Sequence, residues 1–168
     1  MPTPQEIYEN YLLNNPDGER HIEVVTISHS KLSKTYHLTP TPEPVLVTLE
    51  TGESIVPEPV NLTVEKSSSK DDLDEKFNFN FDDIDGRIND EADRIPLDDD
   101  ESVIVTYRGF MASDTSAPAE GPFKLNGVSM TKSTNGTLTI AAQSPSLVVN
   151  RTGELYTYER FPTLRGFL

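Results

Sequence analysis

The sequence predicts a mainly β protein, either a β-sandwich or a small β-barrel, with a short N-terminal helix and one short internal helix. Runs of β-branched and aromatic residues recur with turn signals about every 8 to 12 residues, which is typical of antiparallel β folds. The chain has 168 residues, the size of one ordinary domain, and no cysteine. A single domain over residues 1–168 that needs no disulfide is therefore expected.

The N-terminal helix is predicted over residues 1–15. Thr3 is a suitable N-cap, Pro4 suits the first helical position, and Glu6 completes a capping box. The residues on its apolar face are Ile7, Tyr8, Tyr11 and Leu12. This face packs either on the flank of the same domain or on a neighbouring subunit.

Roughly ten short strands are expected, and nine stretches carry the signal. They are residues 21–28, 44–50, 54–60, 61–66, 77–84, 102–111, 122–130, 136–143 and 154–161. Phe77, Phe79 and Phe81 alternate with polar residues, so their aromatic rings are predicted to share one face of a strand. The turn at residues 51–54 and the connection at residues 131–135 suit hairpins.

Three further segments complete the expected organisation. The internal helix is predicted over residues 85–96, with Ile88, Ala92 and Ile95 roughly aligned along it. Residues 66–76 are polar and are predicted to form a mobile loop. Residues 162–168 follow the last strand and are predicted to form an apolar C-terminal interaction tail.

The charge distribution argues against nucleic acid as a partner. The chain carries a net charge of −14, whereas DNA binding depends on Lys and Arg neutralising phosphates. Most of this charge falls within residues 71–101, an acidic window whose default interpretation is a solvated surface. No apolar run has the length of a membrane span, and the first residues lack the pattern of a secretory signal. These features and the absence of cysteine fit synthesis in a reducing cytoplasm.

Residue patterns associated with catalysis and metal binding are incomplete. His21, His29 and His37 are evenly spaced but lack the further ligand pattern of a metal site. Ser28 and His29 are adjacent and point to opposite faces of a strand, so they do not form a nucleophile–base pair. A calcium loop centred on Gly86 lacks its first and last ligands. A looser cation site within residues 98–101 and a carboxylate-based hydrolase remain as alternatives, but no catalytic, cofactor-binding or metal-binding residue is predicted.

Several stretches, taken in order, resemble a family of minor tail proteins of long-tailed bacteriophages. They are ISHSKL at residues 27–32, IDGRINDEADRIP at 84–96, VIVTYRGFMASDTSAP at 103–118, the hairpin at 122–142, and YTYERFPTLRGF at 156–167. The family is largely of unknown function and includes proteins encoded among tail-tip genes. The resemblance implies a structural component at the distal end of the virion tail, and no enzymatic activity or cofactor.

In such a tail tip, the resemblance implies a homo-oligomeric ring, a trimer or hexamer, between the tail tube, the tape-measure protein and the central hub. Interface cores are rich in aromatic residues and Arg, and the C-terminal segment at residues 156–167 has this composition. The predicted interface residues are Tyr156, Tyr158, Arg160, Phe161, Leu164, Arg165 and Phe167. The acidic window would then face solvent, a basic partner or the lumen of the ring, where it would discourage adhesion of passing DNA.

The alternative function is a carbohydrate- or receptor-binding β-sandwich module of a virion. Tyr107, Tyr156 and Tyr158 would supply its stacking faces if their rings were exposed. A change in thermal stability on adding sugars would favour this alternative.

Overall fold

The fold was analysed in a computed structural model that describes residues 2–66, 76–82, 87–96, 101–133 and 136–145. The seven predicted interface residues, the tail at 162–168 and the last predicted strand at 154–161 lie outside the described residues. Most of the loop predicted at 66–76 also lies outside them.

The protein is mainly β with two helices, as predicted. The helices are α1 (Pro4–Asn14) and α2 (Arg87–Ala92). The strands are β1 (His21–Ser28), β2 (Tyr36–Thr39), β3 (Val47–Thr48), β4 (Ser54–Ile55), β5 (Glu58–Pro59), β6 (Asn61–Lys66), β7 (Lys76–Asp82), β8 (Ile104–Met111), β9 (Glu120–Lys132) and β10 (Thr137–Gln143). Only two residues of the strand expected at 44–50 are in a ladder, because this segment forms a small hairpin instead.

Eight strands form one mixed sheet in the order β5-β2-β1-β8-β9-β10-β7-β6, and β3 pairs with β4 separately. The β2–β5 pair is parallel, and the other described ladders are antiparallel. The two edge strands β5 and β6 are separated in the chain only by Val60, whose N–H donates to the carbonyl of Thr39 at 2.9 Å. The sheet therefore curls until its edges approach each other, without closing into a barrel.

The concave face of this curled sheet holds the main core. Phe77, Phe79 and Phe81 are all buried there, so the predicted aromatic face of β7 is confirmed. They pack with residues from the other long strands, namely Val25, Ile27, Leu38, Leu62, Val105, Tyr107, Leu125, Leu138 and Ile140. Because strands from both halves of the sheet contribute to one cluster, burial of these side chains stabilises the curl itself.

The convex face of β1 and β8 is covered by the β3–β4 hairpin and its flanks. Ile22, Val24 and Phe110 pack there against Val47 and Leu49 in a second apolar cluster. Strand β1 is therefore buried on both faces, which explains its nearly continuous run of β-branched residues.

A buried arginine also joins the convex face to the chain that follows β3. The Nε and Nη2 atoms of Arg108 lie 2.7 and 2.6 Å from the two carboxylate oxygens of Glu50, and Nη1 donates to Thr26 Oγ1 at 2.9 Å. These hydrogen bonds from Arg108 lower the pKa of the Glu50 carboxyl. The paired arrangement satisfies a charge that would otherwise be costly to bury.

The two helices cover opposite ends of the curled sheet. The capping box predicted for α1 is present: Thr3 N donates to Glu6 Oε2 at 2.7 Å, and Glu6 N donates to Thr3 Oγ1 at 3.3 Å. Asn15 ends the helix in a left-handed conformation at φ 40°. At the other end, Ala92 of α2 and Ile95 beyond it pack against the concave core, in agreement with the predicted internal helix.

Candidate functional site

A cluster of polar side chains lies on the concave face where α1 covers the sheet. Its members are His21, Glu23, Lys66, Tyr107 and Glu120, from strands β1, β6, β8 and β9. We call this group the α1-end cluster. His21 and Glu23 are on the same side of β1 as the core residues Val25 and Ile27, because side chains alternate along a strand. The cluster is thus the polar margin of the main apolar core.

The hydroxyl of Tyr107 donates from the core to this polar margin. Its Oη atom lies 2.9 Å from Glu23 Oε1 and 3.2 Å from Glu120 Oε2, while the residue as a whole is fully buried. Burial, together with the two neighbouring carboxylates, raises the pKa of Tyr107. The phenol therefore stays protonated and acts as a hydrogen-bond donor.

Glu120 is the most highly connected carboxylate of the cluster. Lys66 Nζ lies 2.6 Å from Oε1 of Glu120 and 4.3 Å from the centroid of the Tyr107 ring. His21 Nε2 lies 3.3 Å from Oε2, close enough for an ion pair when the ring is protonated. Burial opposes ionisation of Glu120, but the contacts with His21 and Lys66 outweigh it and lower the pKa of Glu120 to about 2.

The His21 ring occupies a space that a glycine leaves open. A Cβ atom on Gly109 would lie 2.2 Å from His21 Nε2 and 3.0 Å from the Glu120 Cβ. Nε2 is buried and makes no well-directed hydrogen bond to the described residues; its nearest carboxylate oxygen is Glu120 Oε2, at 3.3 Å. The close approach of His21 to β9 thus depends on the missing side chain at position 109.

Two aromatic residues of α1 complete the cluster from above. The rings of Tyr8 and Tyr11 stack on His21, with centroids 5.3 and 6.4 Å from the imidazole. Burial and the neighbouring charge of Glu120 raise the pKa of Tyr8 to about 12. The helix is therefore attached to the sheet through aromatic stacking on a polar group.

The shifted pKa values of Glu120 and Tyr107 favour a stabilising role for these two groups over proton transfer. A general base is effective when its pKa lies near the working pH, whereas the pKa of Glu120 is far below neutrality. The pKa of Tyr107 is raised, which makes it a poor acid. The arrangement can hold α1 and the ends of four strands together.

The evenly spaced histidines are not brought together. His21 belongs to the α1-end cluster on the concave face, whereas His37 lies on the convex side, with Nδ1 3.0 Å from Thr26 Oγ1. Burial and the charge of Arg108 lower the pKa of His37. His29 Nε2 lies 3.0 Å from the carbonyl oxygen of Glu101. Within the part of the chain that the structure describes, no group of three His, Asp or Glu side chains is arranged to hold a metal ion.

One expectation about an exposed aromatic residue was wrong. Tyr107 was expected to present a stacking face in the carbohydrate-binding alternative, but its side chain is in the main core. Along β8, the side chain of Tyr107 points to the opposite face of the sheet from those of Thr106 and Arg108. The curl of the sheet makes the Tyr107 face the concave, buried one. Tyr156 and Tyr158 lie outside the described residues, as do residues 98–100 of the looser cation site.

Sequence reasoning missed the α1-end cluster, although β1 contained a signal. His21 and Glu23 occupy the alternate positions of β1 (HIEVVTIS) whose side chains face the core. Apolar residues are normally found at such positions. A polar residue at such a position indicates either that the apolar core ends there or that a polar partner on another strand contacts the side chain. Lys66 and Glu120 are 45 and 99 residues away from His21 in the chain, beyond the reach of local patterns.

Comparison with known proteins gives a family without an assigned role. No curated protein matches the chain. Among the described residues, no helix has both the length and the apolar character needed to cross a membrane. A family model described as a domain of unknown function, DUF1833, matches residues 9–142, which is most of the sequence, and the chain therefore belongs to this family.

Proposed function

We propose that this protein is a structural component of a bacteriophage tail tip, which forms or joins an oligomeric ring between tail tube, tape-measure protein and central hub. The observation that carries the proposal is the order and spacing of the stretches that resemble minor tail proteins, from residue 27 to residue 167. The first four of these stretches lie within the region matched by the family model, residues 9–142, and the last, at 156–167, lies beyond it.

Exposed apolar side chains on the body support an assembly role. Leu12 and Leu13 are adjacent on α1, and both are exposed to solvent. Leu46 and Val56, also exposed, flank the β3–β4 ladder: Leu46 directly precedes β3 and Val56 directly follows β4. A head-to-tail ring needs two different surface patches on each copy, and apolar patches are common at protein interfaces.

The α1-end cluster agrees with a structural role because its charges are paired with each other. Lys66 and His21 contact Glu120, and Tyr107 donates to Glu23. An end whose polar groups contact one another suits a subunit that must present fixed surfaces to its neighbours. The acidic window at residues 71–101 would then face solvent, a basic partner or the lumen, because like charges repeat around a ring and repel one another.

The contacts between copies are proposed to involve the seven residues named above, with the segment beyond Pro162 against a neighbour. A stable interface buries about 800 Å² on each partner, and Leu164, Arg165 and Phe167 would form part of such an interface together with patches on the body. The proposed partners are further copies of the chain and the other tail proteins, within the distal end of the virion tail.

Deletion of residues 163–168 tests this proposal. We expect a folded protein that no longer assembles, as measured by circular dichroism and by light scattering at the same concentration as the full chain. The double variant Leu164→Ser/Phe167→Ser should reproduce the loss, and Thr163→Ser in the same segment should not. Unchanged oligomers after the deletion would contradict the proposed interface. A sugar-dependent rise in melting temperature would instead support the carbohydrate-binding alternative.

A further inference from the structure

A row of polar side chains crosses the convex face of the sheet beneath the turn of the β3–β4 hairpin. Thr26 of β1 pairs with His37 of β2, and Arg108 of β8 donates to the Thr26 hydroxyl at 2.9 Å. The turn of the hairpin contributes Glu50, whose carboxylate accepts hydrogen bonds from Arg108 at 2.7 and 2.6 Å. Arg108 therefore links the hairpin to the strands that it covers.

We propose that this row is a latch that takes up protons as the pH falls and thereby releases the β3–β4 hairpin from the sheet. The latch consists of Thr26, His37, Glu50 and Arg108. Release would expose the second apolar cluster, which the hairpin covers on the convex face of β1 and β8. The proposal concerns one copy of the chain, so it goes beyond the proposed tail-tip function and does not depend on it.

The hydrogen bonds of the latch require an unprotonated nitrogen on His37. A guanidinium group can only donate, so the Thr26 oxygen accepts from Arg108. The buried Thr26 hydroxyl then donates its own hydrogen to His37 Nδ1, 3.0 Å away, which must carry no proton to accept it. Protonation at Nδ1 removes this acceptor and adds a second positive charge to a group that already contains Arg108.

The surroundings of His37 oppose that protonation while the hairpin is in place. Burial lowers the pKa of His37, and the charge of Arg108 on β8 lowers it further. Lys34, which precedes β2, acts in the same direction, whereas Glu53 of the hairpin turn and Glu58 of β5 act against it. Because the pKa of His37 is lower in the closed latch, the contribution of this group to stability is complete above the ordinary His pKa of 6.5 and decreases as the pH falls below it.

Glu50 acts in the same direction at lower pH. The hydrogen bonds from Arg108 lower the pKa of the Glu50 carboxyl, so its contribution decreases as the pH falls below the ordinary Glu pKa of 4.5. Protonation of Glu50 removes the counter-ion of Arg108, whose side chain is only 7% exposed. A buried charge without a counter-ion is strongly destabilising. Lifting the hairpin relieves this cost because it returns the guanidinium group to water.

The hairpin can open without disrupting the large sheet. Its two strands pair with each other and are not part of the eight-stranded sheet. Thr48 N donates to the carbonyl of Thr115, at 2.9 Å, in the loop that follows β8. Val47 and Leu49 supply its buried apolar contacts. A unit attached mainly through side chains can open locally while the ladders beneath it remain intact.

Hydrogen exchange in the full chain tests the latch. We expect the protection of the Thr48 and Leu49 amides, corrected for the intrinsic effect of pH, to fall at least about tenfold between about pH 7 and about pH 4.5. Amides of the β1–β8 ladder should keep their protection over this range. Equal protection of the hairpin amides at the two pH values would overturn the proposal. An equal fall in the hairpin and in the β1–β8 ladder would also overturn it, because the whole sheet would then be unfolding.

Substitutions separate the two titrating groups. Glu50→Gln keeps the shape of the side chain without its charge, so it should lower hairpin protection at least about tenfold already at neutral pH. The matched control Glu53→Gln removes an exposed carboxylate from the same turn and should leave that protection unchanged. His37→Asn keeps a hydrogen-bond acceptor but does not titrate, so it should abolish the change between about pH 7 and about pH 5.5.

Two results with these variants would overturn the proposal. One is equal hairpin protection in Glu50→Gln and the natural chain at neutral pH, and the other is an unchanged pH profile in His37→Asn. The pH profile of the natural chain needs no substitution, so the test does not depend on how well a variant folds. None of these experiments measures assembly, and their outcome is therefore separable from that of the ring proposal.

Discussion

The two ends of the curled sheet are covered in different ways. At one end, α1 rests on the α1-end cluster through Tyr8 and Tyr11, which stack on His21. At the other, Ala92 and Ile95 of the α2 region pack directly on the apolar core. An apolar space of only about 20 Å³ remains beneath them, lined mainly by Ile27, Leu32, Tyr36, Val103, Met130, Leu138 and Ile140.

The α2 end also has polar contacts, but they lie at its rim. Ser33 N donates to Glu91 Oε2 at 2.8 Å, and Lys132 Nζ lies 2.8 Å from Asp93 Oδ2. The Lys132 and Asp93 side chains are largely exposed, and an exposed ion pair of this kind contributes little to stability. Most of the stabilisation at this end therefore comes from apolar burial, which is not directional.

This difference predicts how each end responds to change. Contacts in the α1-end cluster depend on protonation and on the orientation of each group, since Glu120 is shared by His21, Lys66 and Tyr107. Apolar contacts depend on volume and shape instead. The contribution of the α1 end to stability should therefore depend on pH and on substitutions that change a single polar atom. The contribution of the α2 end should depend on substitutions that create cavities.

The largest effect is expected from Glu120→Gln. The amide keeps the shape of the side chain but removes the charge that Lys66 and His21 contact, which leaves Lys66 without its counter-ion. We expect the free energy of unfolding to fall by about 2 to 4 kcal/mol, measured by urea denaturation at neutral pH. As a control, Glu58→Gln removes an ion pair with Lys34 whose side chains are 41% and 54% exposed. This control should lose less than about 1 kcal/mol, and an equal loss in both variants would contradict the comparison.

The second effect is the pH dependence of this same group. Glu120 has a pKa of about 2 in the folded protein, against an ordinary glutamate pKa of 4.5. Between these values the unfolded chain binds more protons, so stability decreases as the pH falls. The contribution of Glu120 is complete above about pH 4.5 and is lost as the pH falls towards 2; it amounts to up to about 3 kcal/mol.

Urea denaturation at several pH values measures this contribution as the difference between the natural chain and Glu120→Gln. That difference should shrink as the pH is lowered from about 5 towards 2. The comparator is Ile95→Ala at the α2 end, which should lose about 1 to 2 kcal/mol by removing partly buried apolar contacts. The loss of unfolding free energy in Ile95→Ala should be the same at each pH. If it instead changed with pH as the loss in Glu120→Gln does, the two ends would not differ in the way described.

A smaller effect than that of Glu120→Gln is expected from Gly109→Ala. The added methyl group would collide with His21 Nε2, so the ring must move away from both Glu120 and Tyr8. We expect a loss of about 1 to 3 kcal/mol, typical of an overpacked site. The same substitution in a His21→Ala background should cost clearly less, because the collision is gone. Equal costs in the two backgrounds would show that Gly109 does not act through His21.

Local patterns were sufficient for most of the secondary structure. The capping box at Thr3 and Glu6 placed α1, and the alternation of Phe77, Phe79 and Phe81 identified both β7 and its buried face. The hairpin of β9 and β10 was also predicted correctly. These features depend on residues close together in the chain, where the spacing of side chains follows directly from helix or strand geometry.

The segment at 44–50 shows where local patterns were insufficient. Its alternation predicts a strand, yet only Val47 and Thr48 are in a ladder, because the segment covers the convex face of β1 and β8 instead of joining the sheet. The Arg108 pairing with Glu50 belongs to the same contact and was not predicted. The partner of a buried charge in another element has no fixed spacing in the sequence.

The sequence alone determined the mainly β class, both helices and the inward aromatic face of β7, because backbone preferences and side-chain periodicity are local. Only the tertiary structure decided that the sheet curls until its edges meet at Val60, and that Tyr107 faces inward. It alone brought His21, Lys66 and Glu120 together beneath α1. These outcomes depend on which distant strands become neighbours, and burial of apolar surface over the whole chain selects that arrangement.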